Sequence, residues 1–202
     1  MRLLAVSKTW PASSVREAFA AGQRAFGENY AREAGDKAAA LADLAIEWHF
    51  IGPLQSNKTR PVAEHSSWVH SIDRLKIAER LAAQRPSPMA PLQVCLQVNV
   101  SGEATKSGCE PGQALDLAMA IGELPRLQLR GLMAIPEPTA DVALQRRRFG
   151  LLRKTLERIN GEAGLDLDTL SMGMSGDLEA AIMEGSTLVR IGTAIFGERV
   201  LP

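Results

Sequence analysis

Short apolar runs alternate with longer amphipathic segments along the whole chain. The runs at Leu3–Ser7, Ala25–Glu28, Trp48–Gly52, Trp68–Ile72, Leu92–Val100, Leu129–Ile135, Thr169–Gly173 and Leu188–Gly192 read as eight strands. Helical patterns lie between them, clearest over Gln113–Leu124 and Val142–Ile159. In the second of these, Phe149, Leu152, Leu156 and Ile159 recur at intervals of three and four and form one core-facing stripe. Pro11 and Pro111 stand near helix starts, while Gly22, Gly122 and Gly185 follow helical runs.

Eight strands separated by seven helices specify parallel pairing with right-handed crossovers. The economical closure is a single α/β domain over residues 1–202, a (β/α)8 TIM-type barrel, whose minimum length is about 200 residues. An open doubly wound sheet is the alternative, with fewer strands at this length. The helix covering the seam between strands eight and one is short or absent, because the chain begins almost at the first strand and stops soon after the eighth. Leu4, Val6 and Val189 are expected to face outward there. Their cover would come from Ala194–Pro202, a partner chain or a segment upstream of Met1.

Hydrophobic residues make up 46% of the 202 positions, enough for a sizeable core. The 23 basic and 23 acidic side chains cancel, leaving no field to gather nucleic acid or an anionic membrane. No run reaches the roughly 20 apolar residues of a spanning helix, and the apolar stretch after Arg2 is too short for a signal peptide. Cys95 and Cys109 form no metal pattern and suit a reducing cytoplasm. The expectation is a cytoplasmic protein. The run Arg146–Arg148 reads as a solvated helix face.

In a barrel, chemistry collects at the C-terminal ends of the strands. Lys8 stands there after an apolar strand, where desolvation lowers an amine's pKa and favours attack on an aldehyde. Taken alone, it is an ordinary strand-end lysine. The eighth strand shifts the balance. Gly192 permits close backbone approach, Thr193 adds a hydroxyl, and Ser175 is expected to cap a helix beginning near Gly176, so the last two loops suit a phosphate. Gly52–Thr59 is a near miss to a nucleotide P-loop, with Asn57 in place of its second glycine. His49, His65 and His70 lack zinc-site spacing. His65 reads as a solvated helix end and His49 as a satisfied core residue.

Seven blocks in order, LLAVSKT (Leu3–Thr9), FGENY (Phe26–Tyr30), WHFIGPLQSNK (Trp48–Lys58), VNVSGEATKSG (Val98–Gly108), RGLMAI (Arg130–Ile135), LSMGMSGDLEAAI (Leu170–Ile182) and VRIGTAIFG (Val189–Gly197), resemble the pyridoxal phosphate homeostasis proteins. The resemblance implies a barrel like the N-terminal domain of alanine racemase, as a monomer or weak dimer. It implies pyridoxal 5′-phosphate held as an aldimine on Lys8, with Asn29 beside the ring and Arg190 facing the pyridine nitrogen. Ser175, Gly192 and Thr193 would hold the phosphate.

The implied role is cofactor homeostasis without catalysis, through transient contact with enzymes lacking their cofactor. A small amino-acid racemase dependent on the same cofactor is the alternative. An arginine at the ring nitrogen disfavours its protonation and weakens the electron sink that transaminases use. Racemisation needs acid–base groups on both faces of the substrate carbon, and Tyr30 is the one tyrosine available. Two departures stand out. The helical segment that family members carry before the first strand is absent, and Trp10 replaces a common lysine, either stacking over the pocket or covering the rim. Lys106, in a Gly/Ser-flanked loop, is a second candidate for the aldehyde.

Overall fold

The computed structural model describes residues 1–103 and 107–198. Its strands are β1 (Arg2–Val6), β2 (Ala25–Glu28), β3 (Glu47–Phe50), β4 (Trp68–Ile72), β5 (Leu92–Gln97), β6 (Leu127–Met133), β7 (Thr169–Ser171) and β8 (Leu188–Ile191). They close into a barrel in chain order, every pair parallel, and β1 meets β8 from Arg2↔Leu188 to Ala5↔Ile191. The helices are α1 (Ala12–Ala20), α2 (Ala31–Ala40), α3 (Thr59–His65), α4 (Leu75–Gln84), α5 (Ala114–Gly122), α6 (Val142–Ala163), α7 (Leu178–Met183) and α8 (Thr193–Phe196). None of the described helices is long and apolar enough to cross a membrane.

The main core lies between the sheet and α3–α7. The α6 stripe is realised, with Phe149, Leu152 and Ile159 fully buried and Leu156 at 9% exposure. Burial of each such side chain is worth about 1.5–3 kcal/mol. Asp141 caps α6 by accepting from the Leu144 N–H at 3.1 Å, and Gly164, at φ 64°, ends it in the left-handed conformation. The helix therefore runs past Ile159 to Ala163. Several strands stop earlier than their apolar runs suggest: β5 ends at Gln97, yet Val98 and Val100 stay buried at the rim.

Two corrections concern the seam. Leu4 and Val6 point into the barrel, where they meet Ala25, Ile51 and Leu188. Ala5, between them, faces outward and packs with Val15, Phe26, Leu41 and Trp48. A parallel strand buried on both faces carries no alternation that tells inside from outside. Val189 lies on the outer face, as expected, and is buried. The seam helix is indeed short: α8 is a single turn. Phe196 packs against the Ala5 cluster, and Trp10 stacks on it with ring centroids 5.9 Å apart. Trp10 thus covers the rim. Leu3 and Ile195 remain 44% and 37% exposed. Lys106 and residues 199–202 lie outside the described residues.

In the arginine run, Arg146 and Arg147 are solvated as expected, but Arg148 is not. Its side chain is 11% exposed and donates to the Glu137 carbonyl at 2.8 Å.

Candidate functional site

Lys8 leaves β1 at the C-terminal end of the barrel, and its two neighbours are clamped. The Ser7 hydroxyl donates to Glu28 Oε1 at 2.6 Å, and the Ser7 carbonyl accepts from Lys37 Nζ at 2.7 Å. The Thr9 N–H donates to Glu33 Oε1 at 2.6 Å. Lys37 closes the cluster by donating to Glu28 and Glu33 at 2.7 and 2.8 Å. Burial pushes the Glu28 carboxyl above its usual range, and Lys37 opposes that shift. Thr9 sits at φ 70°, a conformation that a β-branched residue rarely adopts. The clamp holds it there and fixes where the Lys8 side chain starts.

All six residues singled out from the sequence, Lys8, Asn29, Ser175, Arg190, Gly192 and Thr193, line one cavity of 260 Å³. Val6, Ile51, Ile135 and Met174 supply its apolar walls. Asn29 follows β2, and its Oδ1 is buried without a hydrogen-bond partner. The Asn29 backbone owes its position to Gly52, where a Cβ would stand 2.1 Å from the Asn29 carbonyl oxygen. The near miss to a P-loop over Gly52–Thr59 carries no signal of this role.

Arg190 is 3% exposed, and burial pushes its guanidinium down to about 10, so it stays charged at neutral pH. It donates from Nη1 to the Ser171 carbonyl at 2.6 Å and hydroxyl at 2.8 Å, and from Nη2 to the Ala134 carbonyl at 2.9 Å. Ser171 was not anticipated; it ends β7 in register with Leu188, two residues before Arg190, and the Arg190 side chain reaches back to it.

Ser175 is not a helix cap. Asp177 occupies the N-cap of α7, and its Oδ1 accepts from the Met174 N–H at 2.6 Å. That tight turn starts the helix later and leaves Ser175 in the loop lining the cavity. Gly192 precedes α8, and a Cβ there would sit 3.2 Å from the Val6 carbonyl oxygen, so glycine keeps this turn close to β1.

Other groups take no part. His65 is exposed. Burial pushes the Cys95 and Cys109 thiols up to about 12 and about 11, which suppresses thiolate chemistry. Among the described residues no cluster could hold a metal ion. A groove of 710 Å³ outside the rim holds Trp10 and Tyr30, and another of 570 Å³ shares Met174 and Gly176 with the central cavity.

The family model for the alanine racemase N-terminal domain matches residues 1–200. A pyridoxal phosphate homeostasis protein of Pseudomonas aeruginosa is 67% identical over 197 residues, covering 98% of this chain and 84% of the relative. The Escherichia coli protein of the same name is 55% identical, with 98% and 85% covered. The structure of PipY from Synechococcus elongatus without pyridoxal phosphate superposes with a TM-score of 0.92 at 41% identity, covering 98% of this chain and 93% of that one. The same protein with pyridoxal phosphate bound gives 0.89 at 40%, covering 98% and 92%. Alanine racemase from Corynebacterium glutamicum, 18% identical with a TM-score of 0.74, shares the fold. The chain belongs to the pyridoxal phosphate homeostasis proteins, within the alanine racemase N-terminal-domain family.

Proposed function

We propose that the chain binds pyridoxal 5′-phosphate and carries it as a Schiff base on Lys8, as a cofactor reservoir rather than an enzyme. The observation that carries this is the convergence of six residues from four separated segments on one 260 Å³ cavity. The donor set fits the cofactor. An amine meets the aldehyde, condensing with loss of one water; a charged guanidinium meets the pyridine nitrogen; and Ser175, Thr193 and the Gly192 backbone meet the phosphate. Asn29, whose buried Oδ1 has no protein partner, fits beside the ring. When bound, the cofactor supplies an electrophilic carbon and a ring able to accept electron density. The chain's own residues then bind and orient: Lys8 holds the aldehyde carbon, and Arg190 donates to the ring nitrogen and keeps it unprotonated.

The racemase reading is the weaker one. Tyr30 is 58% exposed and lines the outer groove above α2, away from the cavity that holds Lys8. A second acid–base group on the far face of a substrate carbon is what racemisation requires. Transfer to enzymes lacking their cofactor requires transient contact with them at this rim.

Titration with pyridoxal phosphate should produce a visible absorption band that Lys8→Ala abolishes. A panel of amino acids should show no sustained turnover. Racemisation or transamination above about 1 per second, an ordinary enzyme rate, would overturn the carrier role. A wild-type protein that never develops the band would overturn binding itself.

A further inference from the structure

Beneath the cavity, one side of the barrel interior is polar. The Ser171 hydroxyl, which accepts from Arg190, lies 2.7 Å from His70 Nδ1. His70 Nε2 lies 2.8 Å from His49 Nδ1, and His49 Nε2 lies 2.8 Å from Glu47 Oε1. Arg2 grips both Glu47 oxygens at 2.8 and 2.9 Å at the opposite end of the barrel. Ser171, His70, His49 and Arg190 are all between 0% and 3% exposed. His49 stacks on Trp68 at 5.5 Å and 7°, which shields the chain laterally.

For two neutral histidines, the donor inventory admits one arrangement of protons. Arginine only donates, so Ser171 Oγ must accept from Arg190 and point its own O–H at His70 Nδ1. His70 then carries its proton on Nε2 and donates to His49 Nδ1. His49 likewise carries its proton on Nε2 and donates to the Glu47 carboxylate. Reversing the direction would set a His49 lone pair against Glu47 and leave the Ser171 O–H buried without an acceptor, a costly state. The chain runs one way, from a guanidinium to a carboxylate.

We propose that His70, His49 and Glu47 are positioning residues for Arg190, acting through the Ser171 hydroxyl. Three of the five Arg190 N–H donors are committed to Ser171 and Ala134, leaving two for the cavity. The chain fixes which donors those are. It therefore sets the hydrogen bond offered to a ring nitrogen from groups on β3, β4 and β7 that never touch the ligand. Only that consequence rests on the cofactor reading; the proton arrangement belongs to the chain itself.

Two measurements test it. In protein without cofactor, ¹⁵N-histidine correlation spectra near neutral pH should show two buried histidines as neutral Nε2–H tautomers. A buried histidine protonated on Nδ1 would overturn the chain. With ring-¹⁵N pyridoxal phosphate bound, Ser171→Ala and His70→Phe should each shift the pyridine nitrogen resonance and weaken binding about tenfold, the scale of one charge-assisted hydrogen bond. Ser171→Thr, which keeps the hydroxyl, should restore both. An unmoved ring resonance in a folded His70→Phe protein would overturn the positioning role. Should His70→Phe not fold, Ser171→Ala and the wild-type tautomers decide the matter. Failure of wild-type protein to bind the cofactor would instead strike the proposed function and leave the tautomer result standing.

Discussion

Single residues at this site are held by contacts that other single residues make possible. Gly52 is the sharpest case, since its missing side chain is the space into which the Asn29 carbonyl fits. Gly52→Ala should force the end of β2 to move, at a cost of about 1–3 kcal/mol for overpacking, and should weaken cofactor binding more than tenfold. Thermal unfolding and a spectroscopic titration check this; unchanged affinity would detach Asn29 from the site. Lys8, Gly192 and Thr193 stand out in the sequence because they follow apolar runs at strand ends, and Arg190, inside β8, because it lies in a block that resembles a known family. Ser171 and His70 were not legible. They stand 101 positions apart, and only the closed sheet brings their side chains to 2.7 Å.

Elements act here as carriers of clamps. Helix α2 brings Glu33 and Lys37 against the end of β1, and β2 brings Glu28, so three elements fix the turn bearing Lys8. The Lys37 and Glu28 side chains are 7% and 1% exposed, which makes their ion pair a buried one. Lys37→Met would leave Glu28 uncompensated, and breaking such a pair costs about 3–5 kcal/mol. Adding Glu28→Gln should recover much of that loss. Urea unfolding measures both, and a loss below about 1 kcal/mol in the single variant would contradict the clamp. The α6 stripe was readable because a helix with one buried face keeps its period. The inward orientation of Leu4 and Val6 was not, because β1 is apolar on both sides. Strand ends were overrun for a related reason: Val98 and Val100 remain apolar and buried after the ladder stops.

Over the whole molecule, the buried polar side of the barrel makes stability depend on pH. Burial lowers the pKa of His49, against the pull of Glu47, and lowers that of His70 further with the help of His49, Arg190 and Arg2. Below about pH 6.5, the value of a free histidine, the unfolded chain binds protons that the folded barrel refuses. Stability from these groups is therefore present above that pH and lost as pH falls, with a slope of about 1.4 kcal/mol per pH unit for each histidine held neutral.

Glu47, held down to about 2 by the His49 hydrogen bond and by Arg2, adds a second loss as pH falls below its ordinary range near 4.5. Glu28, raised by burial, acts with the opposite sign, and its contribution fades as pH rises through its folded value. Chemical unfolding between pH 5 and 8 should show stability falling on the acid side of pH 6.5. A flat profile would mean that the histidines are not held neutral.

In the proposed carrier, the barrel folds these segments together to present Lys8 to an aldehyde. Borohydride reduction of the protein loaded with pyridoxal phosphate, followed by peptide mapping, tests it most directly. A pyridoxyl group is expected on the peptide containing Lys8. Labelling confined to another lysine, Lys106 included, would contradict it.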